Sequence, residues 1–480
     1  MGIYEKIPFT GGGLLNSLAK IAISFYVQLM HIVQRVDCEW ETIDDLIKLV
    51  SAAATEAARL SVQAIVSIFN AEVFMSPMIA RDGWRRKDKT MKTLETSIGV
   101  LFLERHTYQH KKSGKCVALL FEALGIKPHQ RTSRELMFRV LDLCPEMSFR
   151  KAIHATGAQV CVQTAINWLR NKMPVLERIV TGDPRKAEVL HVFLDEDHLS
   201  MLKDPHRKHM ILPVGAVAEG HTEERKGRFR LIHPFYFLSQ DMTTRNLTDT
   251  ITGYICKAYD MSVLKKIYVH GDGARWIGKA LQDVCTVEYV FDGFHFERDL
   301  RRCCRRFGSF SAKVKKLLLG AIKDNNRDLA EAILTTFGAG TGDPDIMRKT
   351  DEFQGFLLGY WDAIRSRVAS CPLGSCTEAL VQHLASERFS STPHGWSRKT
   401  VNHLSALRVF KLNGGSIHDL QMGQPAGTYA CYLDECIAQI KETKFDFSIF
   451  DREIVPKDRN SGTQHLFTLI DRAGQLALGQ

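Results

Sequence analysis

The chain has 480 residues, too many for one ordinary hydrophobic core, and two to four domains are expected. Its 45% hydrophobic and 25% charged content is that of a soluble globular protein, which sets aside a disordered or membrane-embedded chain. A formal net charge of +10 permits a polyanionic partner without requiring one.

In chain order, residues 1–75 predict a helical N-terminal region. Apolar residues recur at helical spacing in Leu18, Ile21, Phe25, Leu29, Ile32 and Val36, and again over Ile43–Val50. The run Leu14–Val36 is broken by Lys20, Gln28, His31, Gln34 and Arg35, so no membrane span is expected. Residues 76–130 read as a basic segment followed by a β-hairpin over Thr93–Tyr108. Arg85, Arg86 and Lys87 beside Trp84 suit contact with DNA phosphates, the competing reading being a solvated loop. Residues 131–185 predict a helix-turn-helix DNA-binding domain. One helix reaches Thr156, Gly157 supplies the turn, and a second helix starts near Val162. Its early polar residues Gln163, Thr164 and Asn167 suit a major groove; an ordinary helical core is the alternative.

Pro174, Gly182 and Pro184 suggest a domain boundary between Lys172 and Lys186. Residues 186–295 then predict the first part of an α/β core. Strands are expected over Leu190–Asp195, Met210–Ala218, Arg228–Leu238, Lys266–His270 and Thr286–Phe291. Helices are expected over Thr243–Tyr259 and Ala274–Val284. Residues 296–370 read as an all-α insertion. Its first helix carries Arg298, Arg301, Arg302 and Arg305 as one stripe, offset only by Glu297 and Asp299, which suits phosphate contact. Residues 371–412 complete the core with a helix, and residues 413–480 form a C-terminal region with no assignment.

Three acids stand out in this frame. Asp195 ends an apolar run and Asp272 follows a second one, which places both at strand ends. Glu378 precedes a helical stretch. Carboxylate oxygens are natural ligands of Mg²⁺ or Mn²⁺, and paired ions can hold the attacking and leaving oxygens of a phosphoryl transfer in line. Two strand-borne Asp and a helix-borne Glu, in the order β-β-β-α-β-α-β, match a ribonuclease H-like core. Asp197 shares a strand face with Asp195, so either could be the first ligand. The 12 cysteines form no paired CxxC array. Cys371 and Cys376 with His383 and His394 could be drawn as a metal site, but structural thiols in a reducing cytoplasm are the expectation.

At this point the chain resembles the transposases of ISLre-type bacterial insertion sequences, relatives of the mutator-like transposases. Four segments carry the likeness: Leu194-Asp-Glu-Asp-His198, Gly271-Asp-Gly-Ala-Arg-Trp-Ile277, Val290-Phe-Asp-Gly-Phe-His-Phe296, and Glu378 followed by Val381 to Ser397. Ala379, directly after Glu378, and Thr392 and His394 depart from the family's pattern, and none of the three is itself a proposed ligand. The resemblance implies a metal-binding triad of Asp195, Asp272 and Glu378. It implies that His295, paired with Asp292, contacts the scissile phosphate or orients a ligand, the alternative being a buried structural histidine. It further implies a DNA transposase acting on terminal inverted repeats and target DNA, as a homodimer or larger assembly at the bacterial nucleoid. A domesticated DNA-binding scaffold, or a nuclease that cuts without joining, is the alternative. Arg388, Ser390, Ser391 and Trp396 follow the acid-bearing helix, where they are expected to handle a DNA strand, with Trp396 stacking on a base or else packing the loop.

Overall fold

The computed structural model describes residues 21–22, 24–27, 42–75, 77–172, 182–202, 209–226, 228–239, 243–371, 373, 376–391 and 395–417. The helical expectation for residues 12–41 and the C-terminal region past Ile417 lie largely outside these residues. The chain forms two compact units, Met1–Arg131 with Pro425–Gln480, and Thr132–Gln424.

In the first unit, helix α1 (Ile43–Met75) precedes a long hairpin of β1 (Trp84–Thr96) and β2 (Gly99–His110), to which β3 (Cys116–Val117) adds briefly. The basic segment is therefore the first strand of the hairpin and not a loop ahead of it. Arg85 to Met91 are all exposed along β1, and this run of charge hides the alternation from a sequence reading. Gly99 turns the chain at φ +104°, a conformation that L side chains rarely adopt. A bare strand edge invites foreign pairing. Here α1 covers the outer edge of β2: Arg59 donates to the Val100 carbonyl (3.3 Å), Gln63 Oε1 accepts from the Phe102 N–H (2.8 Å), and Asn70 donates to the Glu104 carbonyl (2.7 Å). Over Ile43–Ala71, α1 is long and apolar enough to cross a membrane by length and composition alone, which the sequence reading had not anticipated.

The second unit is built on a five-stranded sheet. Its strands are β4 (Val189–Ser200), β5 (His209–Ala218), β8 (Phe235–Leu238), β9 (Lys266–Gly271) and β10 (Thr286–Phe291), in the spatial order β10-β9-β4-β5-β8. β4, β5 and β8 pair antiparallel, while β9 and β10 run parallel to β4. Two short strands, β6 (Gly220–Arg225) and β7 (Arg228–Ile232), form a separate ribbon, so the expected strand Arg228–Leu238 is two strands in two sheets. Pairing alternates faces with a period of two. Leu190, Val192 and Leu194 pack under Leu247, Ile251 and Ile255 of α5 (Thr244–Ala258). Phe193 and Leu199 face the other way.

That second face receives α2 (Arg134–Leu143), α3 (Phe149–Thr156) and α4 (Val162–Lys172). Phe138, Phe149, Trp168 and Leu169 share one core with Leu199, Leu212 and Val214 of the sheet. The structure thus draws its unit boundary at Arg131, and the helix-turn-helix segment belongs with the sheet rather than forming a domain that ends near Lys186. The Gly157 turn between α3 and α4 is as expected, with φ +68° closing α3.

After β10 the chain forms α6 (Gly293–Arg305), α7 (Ser311–Lys323), α8 (Arg327–Ala339), α9 (Pro344–Gly359) and α10 (Trp361–Arg365), which pack around Leu300, Leu318, Leu334, Leu357 and Ile364. Asp292, Asn326 and Asp343 cap three of these helices through their side chains. A π-helical turn, Ser366–Ser370, leads out of the insertion. Helix α11 (Thr377–Val381) then runs into a second π turn, Gln382–Ser386, and on to Phe389. Such turns concentrate at functional sites. Helix α12 (Arg398–Leu412) completes the described part of the unit. Ala274–Val284 forms turns and one 3₁₀ turn at Ile277–Lys279 instead of the expected helix.

Candidate metal centre

The acids meet where the parallel half of the sheet ends. β4 pairs with β9 as far as Phe193 and His270, and β9 stops at Gly271. Gly271 is required there, because a Cβ would lie 2.7 Å from Ile277 side-chain carbons and 3.2 Å from the Leu194 carbonyl oxygen. Asp272 follows at once. The Asp292 N–H donates to the Gly271 carbonyl at 2.7 Å, so Asp292 ends β10 beside Asp272. α11 packs on β4, and Leu380 joins Phe193 in one apolar cluster. Glu378 stands in the first turn of that helix.

Asp195 reports the result electrostatically. It is 8% exposed, and its carboxyl is pushed up to about 7 by burial first, then by the negative charges of Asp272, Asp292 and Glu378. Its own Glu196 N–H, donating at 2.8 Å, pulls the other way. Four carboxylates thus crowd one corner. An all-oxygen set of this kind suits a hard divalent ion.

Asp195 is not at a strand end, as the sequence suggested, but in the middle of β4. The strand continues antiparallel to β5 through Ser200 after its parallel neighbour has stopped. Asp197 lies on the same face one step further along, also buried. Burial raises its carboxyl, and Ser390 Oγ donates to it at 2.9 Å. The geometry therefore separates the two: Asp195 feels the other acids, and Asp197 is tied to the end of the Glu378 helix.

The loop carrying Asp272 is pinned on three sides. Asp272 Oδ1 accepts from the Ala274 N–H (3.1 Å), Tyr360 donates to the Gly273 carbonyl (2.8 Å), and Trp276 Nε1 donates to Glu196 (3.0 Å). Asp292, 2% exposed, caps α6 by accepting from the His295 N–H, and the same oxygen lies 3.2 Å from His295 Nδ1. Asp292 was read from the sequence only as a partner of His295. Its position after the apolar run Val287–Phe291 repeats that of Asp272 after β9, and this was the available signal for a fourth carboxylate.

Beside the acids lies an open cavity of about 640 Å³ lined by Arg298, Arg301, Arg302, Arg305 and Arg367. The first four are the expected stripe, and Arg298 feels the charges of Glu378 and Asp292. The stripe is more paired than its sequence implied: Arg298 and Arg302 contact Asp299, and Arg301 contacts Glu297. Arg367, from the π turn before α11, was missed.

Other expected DNA contacts divide sharply. Gln163 and Asn167 are exposed on α4 and bonded to each other at 3.0 Å, and Thr164 is half-buried against Cys161. Arg85, Arg86 and Lys87 are exposed on β1 in the first unit. Two residues expected to handle a strand do not face solvent. Arg388 is 6% exposed, donates to the Cys144 carbonyl at 2.7 Å, and lies over the rings of Phe149 and Trp396. Trp396 is 6% exposed and donates Nε1–H to the Phe389 carbonyl at 2.8 Å, while its backbone pairs with Ser200 and Leu202. Both are core residues, because Arg388 continues the buried stripe of Leu380 and Leu384. Ser390 serves Asp197, and Ser391 bonds the Glu387 carbonyl in its own helix end. Of the alternative cysteine site, His383 is exposed on the acid-bearing helix and His394 lies outside the described residues.

A model of an uncharacterised protein family (UPF0236) matches residues 37–425. A UPF0236 protein of Caldanaerobacter subterraneus subsp. tengcongensis, whose name joins eleven locus designations, is 23% identical over 423 residues, 88% of this chain and 89% of its own. A second from the same organism, named for four loci, has the same identity and coverage. A UPF0236 protein of Streptococcus gallolyticus, named for a vanSb 3′ region, is 24% identical over 353 residues, 69% of this chain and 75% of its own.

Proposed function

The chain belongs to the uncharacterised protein family UPF0236, and for it we propose the function of a DNA transposase with a ribonuclease H-like core that uses Mg²⁺ or Mn²⁺. The observation that carries this reading is the convergence of Asp195, Asp272, Asp292 and Glu378 at one end of a sheet ordered β10-β9-β4-β5-β8. Three antiparallel and two parallel strands fit such a core, with Asp195 on the first strand, Asp272 after the fourth, Asp292 after the fifth and Glu378 on α11 beyond the helical insertion. A relative named for eleven loci of one organism fits a gene that copies itself between sites.

Asp195, Asp272 and Glu378 would hold the ions, with Asp292 close enough to share or to orient. Bound there, the ions would supply Lewis-acid stabilisation of charge growing on the phosphate. The protein's own contribution is placement. A water oxygen attacks phosphorus, the bond to the 3′-oxygen breaks, and a 3′-hydroxyl and a 5′-phosphate result. In strand transfer that hydroxyl attacks a target phosphodiester, so one bond forms as one breaks. The arginine-lined cavity suits the flanking phosphates. On this reading Gln163 and Asn167 would read sequence, and Arg85, Arg86 and Lys87 would grip backbone.

The test uses the full chain, a divalent ion and a plasmid carrying the DNA that flanks its own reading frame. Nicks at matched inverted repeats, followed by joined products, are expected. Cleavage without joining would leave a nuclease, and binding without either would leave a DNA-bound regulator.

A further inference from the structure

On the same face of the sheet as the acids, one step deeper, His191, His270 and Cys371 come together. Their ligand atoms all lie within 4.8 Å of one another, and His191 Nδ1 is 3.1 Å from His270 Nε2. We propose that this cluster is a second metal site, distinct from the carboxylates, that takes a soft or borderline ion such as Zn²⁺.

Three observations converge on it. The first is chemical. Two imidazoles and a thiol are the donors that Zn²⁺ selects, while Mg²⁺ and Mn²⁺ prefer oxygen. Zn–N bonds of about 2.0–2.1 Å and Zn–S bonds of about 2.3 Å imply tetrahedral donor spacings of roughly 3.3–3.6 Å. The His191–His270 nitrogen pair, at 3.1 Å, is already close to that spacing, and the remaining donors, within 4.8 Å, would close by up to roughly 1.3 Å on binding. The second is preorganisation. His191 stacks on Tyr268 and His270 on Phe193, which holds both rings in place, and the Cys371 N–H closes the π turn on Ser366 at 2.8 Å. Burial raises the Cys371 thiol, and Arg367 opposes this only in part, so the ion itself must displace that proton.

The third is position. Each donor precedes one of the acids on its own segment: His191 before Asp195 on β4, His270 before Asp272 on β9, and Cys371 before Glu378 on the approach to α11. An ion bound here would brace the three segments that carry the acids. Most of all it would fasten the exit of the helical insertion to the sheet. Among the described residues no fourth protein donor joins the group, so the fourth position would belong to water or another small ligand. The two imidazoles hydrogen-bonded to each other, with no metal, is the competing arrangement.

The site does not depend on the transposase reading, and its test needs no DNA. The full chain, freed of metal, is titrated with Co²⁺, whose thiolate complexes show an intense charge-transfer absorption. One equivalent should produce that band, Zn²⁺ should abolish it, and excess Mg²⁺ should not. Asp272→Asn should keep the band and Cys371→Ser should lose it. Absence of the band in the unaltered chain, or its persistence in Cys371→Ser, overturns the proposal. If Cys371→Ser fails to fold, X-ray absorption on the zinc-loaded unaltered chain decides: a shell with sulfur and imidazole scatterers is expected, and one of light scatterers without sulfur refutes it.

Discussion

Two arginine-bearing helices flank the acids, and they use arginine in opposite ways. On α6 the apolar positions are Phe296, Leu300, Cys303 and Cys304, and Arg298, Arg301, Arg302 and Arg305 fall between them, facing the open cavity. On the helix that starts with Glu378, Arg388 stands four residues after Leu384 and eight after Leu380, on the buried stripe itself. The side chain is the same, and its phase relative to the apolar stripe decides whether it meets solvent or carbonyl oxygens. The inward arginine is part of the scaffold that holds Glu378 and Asp197. The outward ones line the cavity, three of them in surface ion pairs with Glu297 or Asp299.

The largest expected effect lies between the two helices. Asp272→Ala should cut DNA cleavage to below roughly one-hundredth, since even partners of metal ligands cost 10- to 100-fold. Duplex affinity measured by anisotropy should stay within about twofold, because no arginine is touched. Residual cleavage near the unaltered rate would move the metal centre elsewhere.

The comparison itself is broken or kept by stability. Trp396→Ala removes a buried ring and its bond to Phe389, and about 3–5 kcal/mol of stability should go with it. Arg388→Ala leaves the Cys144 carbonyl unpaired and should cost about 1–3 kcal/mol. In both variants, activity per folded molecule should be close to normal. Arg301→Ala with Arg305→Ala should change denaturant midpoints by the equivalent of less than about 0.5 kcal/mol. The pair should weaken binding to every duplex alike and flatten the salt dependence by up to about two charges. A stable Trp396→Ala with impaired strand transfer would reverse the assignment of the two helices.

What could be read in the sequence follows the same physics. Asp272 and Glu378 were visible because each sits at a change of pattern, after a β-branched run or ahead of a helical one. Asp195 was found but misplaced within its strand. Asp195, Glu196, Asp197 and His198 alternate buried and less buried like any strand, yet acidic residues on the inner face disguise it. Arg388 and Trp396 were misread because an arginine and an aromatic ahead of a proline resemble a ligand loop, and only the Leu380–Leu384–Arg388 phase argued otherwise. The His191–His270–Cys371 cluster draws on three segments, its two histidines 79 positions apart, and no local pattern signals it. The break between residues 130 and 131 was drawn from the sequence, but the further boundary at Pro174, Gly182 and Pro184 marks only a change of local structure, because the shared core of α4 and the sheet is a long-range fact.

The smallest effect concerns protons at Asp195. Its folded carboxyl titrates near 7 against an ordinary value of 3.8, so the folded state holds a proton that the unfolded chain releases first. The sign follows from linkage: this contribution to stability is fully present below the unfolded value and is lost as pH rises through about 7. Metal-free protein should therefore melt at progressively lower temperature from about pH 4 to about pH 7 and level off above that. A divalent ion replaces that proton, so saturating Mg²⁺ should remove most of the decline, and Mg²⁺ affinity should rise over the same window by at most about tenfold per pH unit. Asp195→Asn carries no titrating proton, so its melting temperature should lose this slope while its Mg²⁺ response weakens. Since Asp197 bonds to Ser390 and stands apart from the other acids, Asp197→Asn should leave the Mg²⁺ dependence in place. If Asp197→Asn abolishes the pH and Mg²⁺ coupling and Asp195→Asn does not, the first ligand is Asp197, and the side chain bonded to Ser390 must turn toward the acids when the ion binds.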